Sequence, residues 1–223
     1  VPQGVIFDID GTLLCSNDAH AHSWVDAFSD FGFSVPFYQL RWLIGMGGDR
    51  LIQTLFPGMS SDEGIGKVIS HRRGNVFLER YAPLLQPTPG ARALVERVQR
   101  DGFKTVIATS SKQRELEVLL HHARVEDLLT EATTASDVDS TKPAPDVVHS
   151  ALDTLRLPAD QAVMIGDTPY DIESAKRAGV PIICVRSGGW DDGSLEGAAA
   201  IYDDPQDLLA HYGESPLATG SSR

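Results

Sequence analysis

Short runs of Val and Ile alternate along the chain with segments in which apolar residues recur every three or four positions. The runs are GVIFDID (4–10), KTVIATS (104–110), QAVMIGD (161–167), PIICVR (181–186) and AAIYDD (199–204). Continuous runs of this kind predict strands covered on both faces, since a strand with one wet face would alternate. Between them, ARALVERVQRDG places Ala91, Leu94, Val95 and Val98 on one helical face, with Thr88-Pro89 as its start signal and Gly102 as its stop. Ser111 stands where it can cap a helix carrying Leu116, Leu119 and Leu120, and a further helix from Pro145 carries Val148, Ala151, Leu152 and Leu155. Strands alternating with helices predict the α/β class, a Rossmann-like parallel sheet with helices on both sides.

One stretch breaks the alternation. From about Ser16 to Leu85 only helical patterns occur. Trp24, Phe28 and Phe31 fall at helical spacing, and helices are expected from Pro36 to Ile44 and from Asp49 to Phe56. A longer one is opened by Ser60 with Glu63 at capping-box spacing and faced by Ile65, Val68, Ile69 and Val76. The expected organisation is a core of 1–15 and 87–213, a helical cap of 16–86 and a flexible tail of 214–223, whose ESPLATGSSR has little to bury.

Charge narrows the functions. The net charge is -12, with 19 Lys+Arg against 31 Asp+Glu and no basic run, so the footprint of a nucleic-acid binder is missing. The insert is nearly neutral, so most of the negative charge belongs to the core. Two cysteines, Cys15 and Cys184, do not make a disulfide framework, and Cys184 within PIICV reads as a buried thiol. No apolar stretch reaches the ~18 residues of a membrane helix and no signal peptide is visible, so a cytoplasmic protein is expected. A monomer is expected because no apolar surface stripe is left over.

The residues just after the apolar runs carry the chemistry, because ligands of open parallel sheets bind outside the carboxyl ends of the strands. They are Asp8-Ile9-Asp10-Gly11-Thr12, Thr109-Ser110-Ser111 and Gly166-Asp167-Thr168-Pro169-Tyr170-Asp171, with Lys142 in the loop TKPAPD. Taken singly, Asp10-Gly11 reads as a turn, GDTPYD as a turn capped by Asp167 or Thr168, and Thr109 as an ordinary strand residue. Taken together they differ. Asp8 and Asp10 would share one face of an extended backbone, and Asp167 would join them from another strand end. Three carboxylates in a small volume need a raised pKa or a cation, and oxygen-only ligands favour Mg²⁺. With Lys142 as a point charge and Thr109 as a donor, the set describes a site for a phosphoryl group.

The set FDIDGT, IATSS, KPAPD and IGDTPYD closely resembles, in that order, the four motifs of haloacid dehalogenase-like phosphohydrolases. The helical insert resembles their small cap, and the resemblance runs to about residue 212. It implies a Mg²⁺-dependent phosphatase of small phosphorylated metabolites in which Asp8 forms an aspartyl-phosphate and Asp10 serves as general acid and then base. It further implies that Asp8, Asp167 and the backbone carbonyl of Asp10 hold Mg²⁺, that Asp171 helps through water or as a brace, and that Thr109 and Lys142 grip the phosphoryl oxygens. Ser110, in the second motif, joins the substrate-binding set.

His20, one turn before Trp24, matches a position that faces the active site in some related sugar-phosphate mutases, whereas His22 faces elsewhere. Gly45-Met46-Gly47-Gly48-Asp49 resembles the loop with which such caps reach the substrate, which makes Gly47 and Gly48 candidates. A mutase would be expected to place an Arg near position 48; here Gly48 stands there and Arg50 follows. Arg72 and Arg73 read as a solvated helix face. Beside the phosphatase stand a phosphomutase and, from another class, a non-catalytic phospho-receiver or binding protein. The segments Cys15–Asn17 and Gln86–Pro89 are expected hinges.

Overall fold

The strand runs form the centre of the molecule in a computed structural model that describes residues 2–218. Strands β1 (Gly4–Phe7), β2 (Lys104–Ala108), β3 (Ala132–Thr133), β4 (Ala162–Gly166), β5 (Ile182–Val185) and β6 (Ala200–Tyr202) make one parallel sheet in the order β3-β2-β1-β4-β5-β6. Five were expected, each trimmed by the loop residues after it. β3 is two residues long and leaves no periodicity to read.

Alternate strand residues enter two separate cores. Val5, Phe7, Ile107, Val163 and Ile165 pack on one side against α5 (Ala91–Arg100) and α6 (Gln113–Ala123). Ile6, Val106, Ala108 and Met164 pack on the other against α7 (Asp146–Leu155) and α8 (Pro169–Ala178), with Cys184 fully buried among them. The faces expected of α5, α6 and α7 are those buried. A last short helix, α9 (Pro205–Ala210), leads to Tyr212 and Leu217, both buried in the first core. The expected tail from 214 is thereby corrected as far as Ala218: one leucine suffices to tie the segment down. Residues 219–223 of that tail lie outside the described residues.

Between β1 and β2 the chain forms only helices: α1 (Asn17–Asp30), α2 (Phe37–Arg41), α3 (Gly48–Leu55) and α4 (Gly64–Val76), which widens into a π turn over Phe77–Tyr81. Trp24, Phe28, Leu40, Leu51, Ile52 and Ile69 give this layer a third core of its own. The segments leading in and out meet, with the Cys15 N–H donating to the Gln86 carbonyl at 3.0 Å. Several expectations fail here. Ser60 accepts the Asp62 N–H instead of capping, and α4 begins at Gly64 with Glu63 as its N-cap residue. Ile65 and Val68 are exposed although Ile69 and Val76 are buried, and Tyr38 and Leu84 are exposed too, so the absence of leftover apolar surface that suggested a monomer is not met.

Candidate active site

The chain builds the sheet outward from β1 in one direction through β2 and β3, then returns to lay β4 on its other side. β1 and β4 therefore flank the reversal point at which an open parallel sheet leaves a crevice. Phe7 pairs with Ile165, and the Asp8 N–H donates to the Ile165 carbonyl at 2.9 Å. Adjacent register thus delivers Asp8 and Asp167 side by side.

Asp171 joins them from the first turn of α8. Thr168 caps that helix, accepting the Asp171 N–H at 3.2 Å, while Asp171 Oδ2 accepts the Thr168 N–H at 3.1 Å. This is the capping box that turns the GDTPYD motif into a helix start. Asp8, Asp167 and Asp171 are all buried, and each offers an oxygen within 4.8 Å of the others. Lys142, itself buried, donates from Nζ to Asp8 Oδ1 at 2.5 Å and lies 2.8 Å from Asp171 Oδ1.

One lysine does not balance three carboxylates. Burial, reinforced by Asp171 and Asp10 and opposed by Lys142, pushes the Asp8 carboxyl up to about 7. Burial and the charges of Asp171 and Asp8 likewise raise Asp167 well above the carboxylate range. Burial works against the Lys142 ammonium, but Asp171 and Asp8 outweigh it and push its pKa upward. An all-oxygen set with an unmet negative charge fits a hard divalent cation.

Asp10 stands apart from this cluster. Its Oδ1 accepts from Ser16 Oγ at 2.6 Å and from His20 Nε2 at 2.7 Å, and its Oδ2 accepts from Ser111 Oγ at 2.8 Å. Burial opposes its charge, yet His20 and these hydrogen bonds prevail and hold the carboxyl well below the usual range. Ser111, expected as a helix cap, is spent here; α6 starts after Lys112, whose side chain does not cap it.

A cavity of about 160 Å³ opens above Asp8 and Asp10, walled by Ser110, Ser111, Lys112 and Glu115 and roofed by Trp24, Met46, Gly48, Ser70 and Arg73. Ser110 Oγ is buried with no partner among the described residues. Thr109 is fully buried, and its hydroxyl accepts the Ser111 N–H at 3.0 Å, which leaves its proton to donate. His20 and Gly48 line the cavity. Gly47 packs on Thr141 instead: a Cβ there would sit 2.0 Å from Thr141 Oγ1. Next to it Asp49 accepts from Thr141 Oγ1 at 2.6 Å, tying the α2–α3 loop to the residue before Lys142.

Three contributors escaped the sequence reading. Asn17 Nδ2 donates to Asp167 Oδ2 at 2.8 Å and fixes that carboxylate, but a single Asn at a helix start carries no distinguishing pattern. Arg73, expected on a solvated face, has a side chain only 13% exposed and reaches both Glu115 and His20; Arg72 beside it is the one facing out, on Asp30. A signal for Arg73 existed, since it falls on the i, i+4, i+7 stripe of Ile69 and Val76. Glu115, Arg73's partner, is a buried acid on the inner face of α6.

Fold and site together define a protein of the α/β class with a buried acidic cluster at the carboxyl ends of a parallel sheet. The model of the haloacid dehalogenase-like hydrolase family matches residues 5–185, and the chain belongs to that family. The phosphoglycolate phosphatase of Rhodospirillum rubrum is 28% identical over 215 residues, covering 92% of this chain and 88% of that protein. The crystal structure of a hydrolase from Pseudomonas syringae superposes with a TM-score of 0.88 at 29% identity, covering 95% of this chain and 98% of that one. A beta-phosphoglucomutase from Clostridium difficile shares the fold, with a TM-score of 0.83 at 18% identity over 98% of both chains. Among the described residues no helix is long and apolar enough to cross a membrane.

Proposed function

We propose that this protein is a Mg²⁺-dependent phosphatase of small phosphorylated metabolites that works through an aspartyl-phosphate on Asp8. The observation that carries the reading is the contrast between two carboxylates of one loop. Asp8 is buried with Lys142 and two further acids, whereas Asp10, two residues on, is turned to three hydrogen-bond donors at the cavity wall. Neighbouring acids in opposed environments are how one site supplies both a nucleophile and an acid–base group.

In the first half-reaction an Asp8 oxygen forms a bond to phosphorus and the bond to the leaving oxygen breaks, with Asp10 giving that oxygen its proton. The arriving phosphoryl anion favours the protonated form of Asp10, because like charges oppose ionisation. In the second half-reaction water attacks phosphorus, Asp10 takes the proton and the bond to Asp8 breaks. Lys142, Thr109 and the Ser110 hydroxyl, unpartnered among the described residues, would hold the phosphoryl oxygens. Asp8 and Asp167, with the Asp10 carbonyl, would hold Mg²⁺, braced by Asp171 and Asn17; when bound, the ion supplies the positive charge the cluster lacks. The helical insert would act as a cap hinged at its two entry segments, expelling water when seated.

A phosphomutase is the second reading, favoured by the fold shared with a beta-phosphoglucomutase. Two features speak against it. Position 48 is Gly, whose added Cβ would meet the Trp24 ring at 3.0 Å, so the loop offers no basic side chain there, and Arg50 points away toward Ser140. The test is phosphate release from an aryl phosphate, phosphoglycolate and a sugar-phosphate panel, with and without Mg²⁺, for wild type and Asp8→Asn. Metal-dependent release lost in the variant is expected. Isomerised sugar phosphate without release would establish the mutase, and neither product from folded, Mg²⁺-binding protein would leave a binding protein.

A further inference from the structure

Resting on the assignment of Asp10 as acid and base, we propose that Arg73 is a positioning residue, held by Glu115, that makes the alignment of Asp10 depend on seating of the helical insert. Arg73 Nη1 donates to both Glu115 carboxylate oxygens, at 2.6 and 2.8 Å, and Nη2 contacts His20 Nδ1 at 2.7 Å. A guanidinium has only hydrogens to offer, so Nδ1 accepts and the ring carries its hydrogen on Nε2. That hydrogen points at Asp10 Oδ1, 2.7 Å away. Phe77 stacks on the imidazole, with centroids 4.1 Å apart and planes 7° from parallel, and bars it from turning over.

The chain of contacts crosses the boundary between the layers twice. It starts on α6 of the core at Glu115, enters α4 of the insert at Arg73, passes to α1 at His20 and returns to the core at Asp10. Only the seated insert completes it. Gly74 permits the approach of α4 to α6, since a Cβ there would stand 3.3 Å from Glu115 Oε1. The Trp24 and Phe77 rings, 5.5 and 5.3 Å from the Arg73 guanidinium carbon, hold its plane. With its charge committed to Glu115, Arg73 is not a grip for an anionic substrate. Stability does not account for the pair either, because well-packed apolar residues replace buried ion pairs at little loss.

The double variant Arg73→Met/Glu115→Leu leaves no buried charge unpaired and is expected to keep the fold while disconnecting His20. Its kcat for phosphate release should fall at least about tenfold with KM within about threefold of wild type. The Nδ1 ¹⁵N shift of the His20 ring, assigned by its loss in His20→Gln, should move from that of a hydrogen-bonded acceptor toward that of a bare ring nitrogen. Arg73→Lys, which keeps a donor for Nδ1, should recover part of both. An unchanged Nδ1 shift in the double variant overturns the proposal whether or not activity falls, and so does a kcat within twofold of wild type. Should wild type itself release no phosphate, the phosphatase reading fails, and the nitrogen signature decides the positioning claim by itself.

Discussion

At the floor of the cavity the carboxylates arrive at the ends of strands or the start of the helix after one, and their meeting follows from sheet register, with Lys142 added from a loop. At the roof the contacting residues come from three helices and one loop of the insert, and none is set by register. Asp8 meets Asp167 because β1 pairs with β4. His20 meets Arg73 only because α1 and α4 pack side by side, 53 residues apart in the chain. The sheet therefore fixes the backbone of the floor, whereas the insert reaches down to it through single side chains, Asn17 to Asp167 and His20 to Asp10, so a shift of α1 would alter those two contacts and leave the strand pairing as it is. Charge balance separates the regions as well. The floor concentrates negative charge on a single lysine, whereas the arginine of the roof is matched by one glutamate of the core.

The largest expected effect tests whether the floor is held by that lysine. Lys142→Met removes the one cation beside three buried acids and should destabilise the metal-free protein by about 3–5 kcal/mol in urea unfolding, the cost typical of an unpaired buried charge. Arg72→Ala, on the exposed face of α4, should leave the midpoint unchanged. Equal responses would erase the distinction between buried and surface charge on which the comparison stands.

Next in size is a pH effect. Asp8 titrates near 7 in the folded protein against an ordinary value of 3.8, and Asp167 is raised in the same sense. Between those limits the folded state binds more protons than the unfolded state, so stability is full below about pH 4 on this account and falls as pH rises through 7. Asp10, shifted downward, contributes oppositely, but only below its ordinary value. The metal-free Tm should therefore drop from pH 5 to pH 8. Mg²⁺ should raise Tm more at pH 8 than at pH 5, since the ion binds the ionised carboxylates. A Tm that rises across this range, or an equal Mg²⁺ increment at both, would contradict the charge balance given for the floor.

A smaller effect is expected at Asn17, which belongs to α1 of the insert yet braces Asp167 of the floor. Asn17→Ala should weaken Mg²⁺ binding by about tenfold in calorimetry, as loss of a group orienting a ligand does, and leave global stability nearly unchanged. No change in affinity would confine metal binding to core residues alone.

What could be read beforehand follows the same division. The floor was legible because strand-end residues are contiguous and their spacing encodes direction: Asp8, Asp10, Asp167 and Asp171 fall within two short motifs. β3 was invisible at two residues, and the buried segment after α9 holds Leu217, a single leucine in a polar stretch. Ser111 was legible as polar at a helix start but not as a partner of Asp10 across a sequence separation of 101. Arg73 was misread because it adjoins the exposed Arg72; periodicity with Ile69 and Val76 puts it inside, but only the fold supplies the glutamate that lets an arginine stay there. Residue type marked the charge, and packing decided its use.

The central claim, a phosphoryl group carried on Asp8, is tested most directly by rapid acid quench of the Mg²⁺-loaded enzyme during turnover of the best substrate, followed by peptide mass spectrometry. The account predicts a phosphoryl adduct confined to the peptide containing Asp8, formed before steady-state release of phosphate and absent from Asp8→Asn. Phosphate release at the wild-type rate by Asp8→Asn, with no adduct in either protein, would contradict it.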